Sequence, residues 1–378
     1  MRCLLLGGGG PVGIATLYLL KGLGWSASVV DPERPRHEAE HAEIFRHTVQ
    51  DWDARDYSLS DLDARLRGGG YDFALDLAPS LDKFQSVSLC DERGVSLVNS
   101  TMVDSRADIH VAAFSFLSQR PAVSRRPHVV AAGMNPGAVN AMAEAIIEQY
   151  EQPDAICFWE YDETLPCDGV LRGPATTWSR SEAGDEIAED WTFEVLEEGS
   201  LVLHEDALSY APQHFRNCGV PLPRLDIPPG SDALLIGHEE CIYLGWRHDT
   251  AAKFIYGFHA ENMRQIRRAG YGWKPELLVH EPGRRLTGRD IVGVSCRYDD
   301  DHSWVGRYCV LENTPAIPCG TNATCMLVAS GIVASVILLA GANPPRAGVH
   351  LTHELPGWLP AFRSLVEVHE YDMPSLEA

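Results

Sequence analysis

Arg2-Cys3-Leu4-Leu5-Leu6 runs directly into Gly7-Gly8-Gly9-Gly10-Pro11-Val12-Gly13, helix-spaced apolar residues follow from Val12 to Leu23, and a second apolar run comes at Ser26 to Val30. A short apolar run, a glycine turn, an amphipathic helix and another short run make a βαβ unit. Gly8, Gly10 and Gly13 have the G-x-G-x-x-G spacing between strand and helix, and Asp31 closes the second strand. There Gly8 permits a tight turn, Gly10 lets the backbone approach a pyrophosphate, and Gly13 lets the helix pack on the strand. The helix that opens at Pro11 and Val12 offers its first free amides to an anion. Asp31 is placed to accept bonds from a ribose diol and repels a 2′-phosphate, so NAD is expected as cofactor before NADP. Arg34 and Arg36 keep NADP open.

Outward from this unit the alternation continues. Apolar runs at Phe45 to Val49, Phe73 to Leu77, Val95 to Val98 and His128 to Ala132 read as strands. Segments near Leu59 to Leu66, Leu81 to Cys90 and Asp104 to Leu117 read as helices. Such alternation predicts an α/β domain with a Rossmann-type, doubly wound parallel sheet over residues 1–135. After Asn135-Pro136-Gly137 the strands become longer and polar-interrupted, at Ala155 to Tyr161, Ala233 to Gly237, Ile242 to Trp246 and Phe254 to Phe258. They predict a second, α+β domain with an antiparallel sheet over 136–320. The span Asn322 to Asn343 carries no charge, but Thr324, Ser330, Gly331 and Ser335 interrupt it. It reads as a helix buried between domains rather than a membrane span, opening a segment, 321–378, that returns to the first domain.

The whole composition agrees with a folded enzyme-sized chain. Its 378 residues are 45% apolar and 22% charged, and 31 basic residues stand against 53 acidic ones for a net charge of −22. That balance repels phosphate backbones and anionic membranes, so neither nucleic acid nor a membrane is an expected partner. It suits a cationic small molecule. Ten scattered cysteines form no C-x-x-C pair and no other metal-ligand spacing occurs, so no metal is expected. The start of the chain has no apolar segment of signal length, and a reducing cytoplasm is the expected location.

Asn135, Glu160, Trp178, Glu186, His238, Glu239 and Glu240 sit in apolar or aromatic surroundings. Taken singly, each has an ordinary explanation as a turn residue, a solvated face or a hydrogen-bonded histidine. Together they suggest a site in which carboxylates and an indole face hold an ammonium group, the cation–π attraction being worth about 0.5–2 kcal/mol. No Ser-His-Asp order competes with it.

Several of these segments, in order, resemble the bacterial homospermidine synthase family. Ala132-Gly133-Met134-Asn135-Pro136-Gly137-Ala138-Val139 is similar to its G-A-N-P-G-x-V segment, and Trp159-Glu160-Tyr161-Asp162-Glu163-Thr164 to its E-R-D-T strand. Ala175-Thr176-Thr177-Trp178-Ser179 resembles V-N-T-W-S, with Glu186 at the spacing of the S-E-G glutamate. Gly237-His238-Glu239-Glu240-Cys241-Ile242 resembles T-H-N-E-S-I, and Glu312 to Thr314 followed by Asn322-Ala323-Thr324 resembles E-E-T followed by Q-N-A-T. The likeness runs from Gly8 to about Glu354.

The resemblance implies a saccharopine dehydrogenase-like architecture, a homodimer and NAD as a recycled redox group. It implies that putrescine or a related amine is oxidised to an imine, attacked by a second amine with loss of ammonia, and reduced again. By the same resemblance Trp178 is the cation–π platform, Asn135 also borders the cofactor, and Asn135, Glu160, Glu186 and His238 hold or deprotonate amines. Which of the carboxylates or His238 is the general base stays open. Glu240 matches a substrate-binding glutamate. Two family positions depart: Val103 or a shifted Asp104 stands where the family has a glutamate, and Ser80 (unless Asp82 substitutes) where it has an aspartate. Reductive amination of a carbonyl by an amino acid, with Arg180, Arg247 or Lys253 meeting a carboxylate, is the second expectation. A silent dinucleotide sensor is the third.

Overall fold

The computed structural model describes residues 1–34, 41–55, 57–78, 81–102, 108–272, 274–280, 284–298 and 303–374. Arg36, Ser80, Val103 and Asp104 therefore lie outside the described residues.

Six short strands, β1 (Arg2–Leu6), β2 (Ser26–Val30), β3 (Val49–Asp53), β4 (Phe73–Asp76), β5 (Ser96–Asn99) and β6 (Pro127–Val129), belong to the first sheet. Between them run α1 (Pro11–Gly22), α2 (Ala42–Thr48), α3 (Leu59–Gly69), α4 (Lys83–Glu92) and α5 (Ile109–Ser118). All ladder pairs are parallel. Strands buried on both faces read as unbroken apolar runs, and Cys3 to Leu6 are at most 2% exposed. Local chemistry sets the helix ends: the Ser58 hydroxyl accepts the Asp61 amide at 3.1 Å, and Gly70 closes α3 in the left-handed region. The expected strand at Phe45 to Val49 is instead the end of α2, and β3 starts at Val49. A run that short carries too little periodicity to separate helix from strand.

The chain then crosses by α6 (Ala138–Tyr150) to β7 (Ala155–Asp162) and a second sheet. Its other strands are β8 (Thr192–Val195), β9 (Leu201–His204), β10 (Gln213–His214), β11 (Asp232–Ile236), β12 (Ala251–Phe258), β13 (Arg289–Tyr298) and β14 (Ser303–Glu312). This sheet is mixed, not antiparallel as expected, because β12 runs parallel to β7 over eight residues while β13 lies antiparallel on β7's other side. Period-2 patterning shows which face a residue occupies but not the direction of the neighbouring strand. A second correction concerns Ile242 to Trp246, which lie in a helix, α8 (Glu239–His248), rather than a strand. Glu239 and Glu240 in its first turn and Arg247 and His248 in its last complement the helix dipole.

The uncharged span forms α9 (Ala323–Ala340), capped by Asn322, whose Oδ1 accepts the Cys325 amide at 2.9 Å. It packs on α1 and β5 of the first unit and on β13 and β14 of the second. Of its 18-residue apolar window, 78% is buried inside the protein. Gly331 makes the close approach: a Cβ there would lie 2.1 Å from the carbonyl oxygen of Gly133. The segment after α9 serves both sheets. β15 (Gly348–His350) pairs parallel with β6, and β16 (Val368–Pro374) pairs antiparallel with β14. The expected return of 321–378 to the first domain is seen in α9, which packs on α1 and β5, and in β15, while β16 joins the second sheet. The orders are β15-β6-β5-β4-β1-β2-β3 and β9-β8-β12-β7-β13-β14-β16, with β11 beside β12 and β10 beside β11.

Candidate active site

The C-terminal ends of β1 and β4, where ligands enter open parallel sheets, face β7 and β12, two interior strands of the second sheet, across a cavity of about 560 Å³. Gly10, Pro11, Val12 and Gly13 line one end of it. A Cβ on Gly13 would sit 2.3 Å from the Gly7 carbonyl oxygen, so only glycine brings α1 this close to the turn. At Gly10 the nearest protein atom to such a Cβ is 3.9 Å away, and the room there belongs to the cavity. No acidic residue stands in the first turn of α1 and no side chain caps it. Its first amides are free for an anion.

Gly8 and Asp31 brace this end from outside the lining. A Cβ on Gly8 would meet Val29 at 2.4 Å. Asp31 is 6% exposed and accepts the Gly9 amide at 2.7 Å and the Glu33 amide at 2.9 Å, holding the turn's shape.

The other end is made of side chains from many elements. Asp108, Glu160, Glu182, Asp185, Glu186, Asp190 and Glu239 all line the cavity, together with Trp178, His238, Phe254 and Tyr256. Glu160 comes from β7, and its Oε2 accepts the Asn135 Nδ2–H at 2.7 Å, so the turn after β6 and the second sheet meet at this bond. Thr177, just before Trp178, is bolted down twice: its hydroxyl donates to Asp162 at 2.8 Å and its carbonyl accepts from Asn322. Trp178 and Val12 then pack on one small apolar cluster of Ala15, Cys325, Met326 and Ala329. Glu186 is carried on a π-helical turn, Asp185–Glu189, that continues α7 (Arg180–Gly184).

His238 is the extended cap residue of α8, and its Nδ1 lies 2.5 Å from Glu240 Oε2. Glu240 is fully buried behind the imidazole and outside the cavity lining. Burial alone would lower the His238 pKa, but Glu240, Glu186 and Glu239 outweigh it and raise it to about 10. The ring is thus an imidazolium at neutral pH and has no free lone pair for a base. Burial also pushes Glu160 and Glu186 up to about 8, Glu239 to about 7 and Asp190 to about 6. These carboxyls are poised to exchange protons near neutrality.

One lysine or arginine alone lines the cavity among the described residues: Lys83. It is 1% exposed, with Nζ 3.1 Å from Asp76 and 2.5 Å from the Ala78 carbonyl, which neutralises it internally. The residues that sequence reasoning missed, Lys83, Glu182, Asp185, Asp190 and Tyr256, carry no motif. For Asp162 a signal existed, since it alternates with Glu160 in an otherwise apolar strand. No group of three or more His, Cys, Asp or Glu residues with metal-binding geometry occurs among the described residues.

No family model matches the chain, and no curated protein does. Among solved structures, a homospermidine synthase from Legionella pneumophila in complex with NAD superposes with a TM-score of 0.76 at 14% identity, over 98% of this chain and 91% of that one. GenD2 from gentamicin A biosynthesis in complex with NAD (TM-score 0.42, 11% identity, 98% and 96% coverage) and an amine dehydrogenase from Mycobacterium smegmatis (0.41, 10%, 94% and 95%) are more distant. At such identities the first likeness is one of fold: a Rossmann-type parallel sheet joined to a mixed sheet.

Proposed function

We propose that this protein is an NAD-dependent enzyme that transfers an aminoalkyl group between amines, a reaction of the homospermidine synthase kind. The observation that carries the reading is the shared cavity, in which a glycine turn fitted to a pyrophosphate opens onto seven carboxyl side chains and an indole. The snug Gly13 and the open Gly10 fit a dinucleotide whose phosphates rest on the start of α1. When bound, its nicotinamide supplies hydride acceptance and return. The chain's own residues do the rest. Carboxyls held partly protonated near pH 7–8, Glu160 and Glu186 first, take protons from ammonium groups and give them back. Asn135 aims Glu160. The Trp178 face stabilises a cationic iminium without bonding to it. His238, held charged by Glu240, is a proton donor to a leaving nitrogen.

A carboxylated substrate fits this cavity less well. Arg180, Arg247 and Lys253 do not line it, Arg247 being paired with Glu144 and Lys253 bonded to Gln213. A homodimer in a reducing compartment, where the ten thiols stay free, belongs to the same reading.

The test is to incubate the protein with putrescine and substoichiometric NAD and follow ammonia and polyamines by mass spectrometry. Homospermidine and ammonia exceeding the NAD present are the expected result. NADH accumulating in step with amine loss, or no product at all, would defeat the reading.

A further inference from the structure

Below the cavity floor lie two carboxyls that the reading above does not use. Glu160 and Asp162 are two apart on β7 and share a face, and Asp290 on β13 is the register partner of Asp162. Cross-strand partners stand about 4.5–5.5 Å apart at Cβ. All three are at most 3% exposed. Asp162 accepts the Thr164 amide and the Thr177 hydroxyl, each at 2.8 Å. Glu160 accepts from Asn135 with one oxygen, while its Oε1 and both oxygens of Asp290 make no hydrogen bond of ordinary geometry, with Tyr256 near the first carboxyl and Thr324 and the Ile291 amide near the second.

No lysine, arginine or histidine forms an ion pair with any of the three among the described residues. Three ionised carboxylates in so dry a place would cost many kcal/mol, so the set must hold protons. Two buried hydroxyls connect it to the cavity. Tyr256, the register partner of Glu160 on β12, leans on that carboxyl, and Thr324 in the first turn of α9 leans on Asp290; both line the cavity.

We propose that Glu160, Asp162 and Asp290 form a single proton store, with Glu160 as its mouth on the cavity and Asp290 as its buried reserve. The inference rests on the reading that an ammonium binds here. With one negative charge on the set, an arriving ammonium loses an N–H bond, an O–H bond forms on Glu160, and the three carboxyls become neutral. The reverse transfer protonates the nitrogen that departs as ammonia. No electrons move in either step. Other titratable groups facing the set are His238 and Glu186 across the cavity, Glu163 paired with Arg289, and the buried thiols Cys309 and Cys325. Of these, His238 brings a positive charge that it shares with Glu240, and Arg289 brings one that it shares with Glu163.

The test compares the whole protein with Asp290→Asn, first without substrate. Infrared difference spectra across the neutral range are expected to show carbonyl bands of protonated carboxylic acids. In the variant one band is lost; in the companion Asp162→Asn the Glu160 titration moves down by about one pH unit, since the carboxylate that repels Glu160 is gone. In turnover, the acid limb of kcat moves down by the same amount while KM for the amine stays within about twofold. The Asp162→Asn shift tests the store by itself if Asp290→Asn misfolds. An unchanged titration and band pattern overturns the store, whatever the protein catalyses. The expected infrared shift with no amine turnover in the parent protein overturns the assigned reaction and leaves the store standing.

Discussion

The two ends of the cavity are built on opposite principles. The turn Gly7 to Gly13 is backbone: it is contiguous in sequence, its shape is set by what glycine alone can fit, and it holds no titratable group. The acidic end is side chain: Glu160, Trp178, Glu186, His238 and Glu239 come from a strand, a loop, a π-helical turn and a helix start, and most of its members titrate near neutrality. A site made of backbone is readable from a short motif and indifferent to pH. A site made of converging side chains depends on the fold and on proton uptake.

That contrast breaks most sharply at Gly13. Gly13→Val places carbon against the Gly7 carbonyl, and calorimetry should find NAD affinity reduced at least ~100-fold, roughly 3 kcal/mol. Gly10→Ala is the companion: its methyl meets no protein atom within 3.9 Å, so the melting temperature of the ligand-free protein stays put while NAD binding weakens. Retained NAD affinity in both variants would show that the turn does not hold the dinucleotide.

The next effect falls on the acidic end alone. Trp178→Ala removes a cation–π platform of up to about 2 kcal/mol, so amine turnover should drop about 30-fold with NAD affinity within twofold. Joint loss of both would make Trp178 a structural strut.

The smallest effect is in stability. Burial raises the Glu186 pKa to about 8 from an ordinary value near 4.5, so folding favours its protonated form. The stability this lends is complete below about pH 4.5 and is lost as the pH rises through 8. Glu186→Gln, which stays neutral, should melt roughly 2–4 °C above the parent at pH 9 and level with it at pH 4.5. Parallel melting curves at both pH values would mean that Glu186 is solvated like a surface carboxylate.

The same contrast explains what could be read from the sequence. The βαβ unit and its turn were legible because strand, turn and helix follow one another within thirty residues. Asn135, Glu160, Trp178, Glu186 and His238 are marked by their apolar surroundings and by the ordered resemblance, and all five line one cavity. Lys83 and Asp190 carry no motif, since neither spacing nor composition tells which helix end faces a cavity. The resemblance implies a substrate contact for Glu240, whereas one helical step turns it behind His238 and out of the cavity lining. The direction of β12 was illegible because parallel and antiparallel neighbours bury the same alternating residues.

The last stretch of chain ties the two sheets together: α9 lies between them, β15 closes one and β16 extends the other. During synthesis the first six strands, ending at Val129, leave the ribosome well before α9, which begins at Ala323. The nascent chain therefore holds a glycine turn with no finished cavity around it, and a ribosome stalled before α9 would display an open acidic surface. The cavity is completed late, when α9 brings Thr324 and Val328 into its lining.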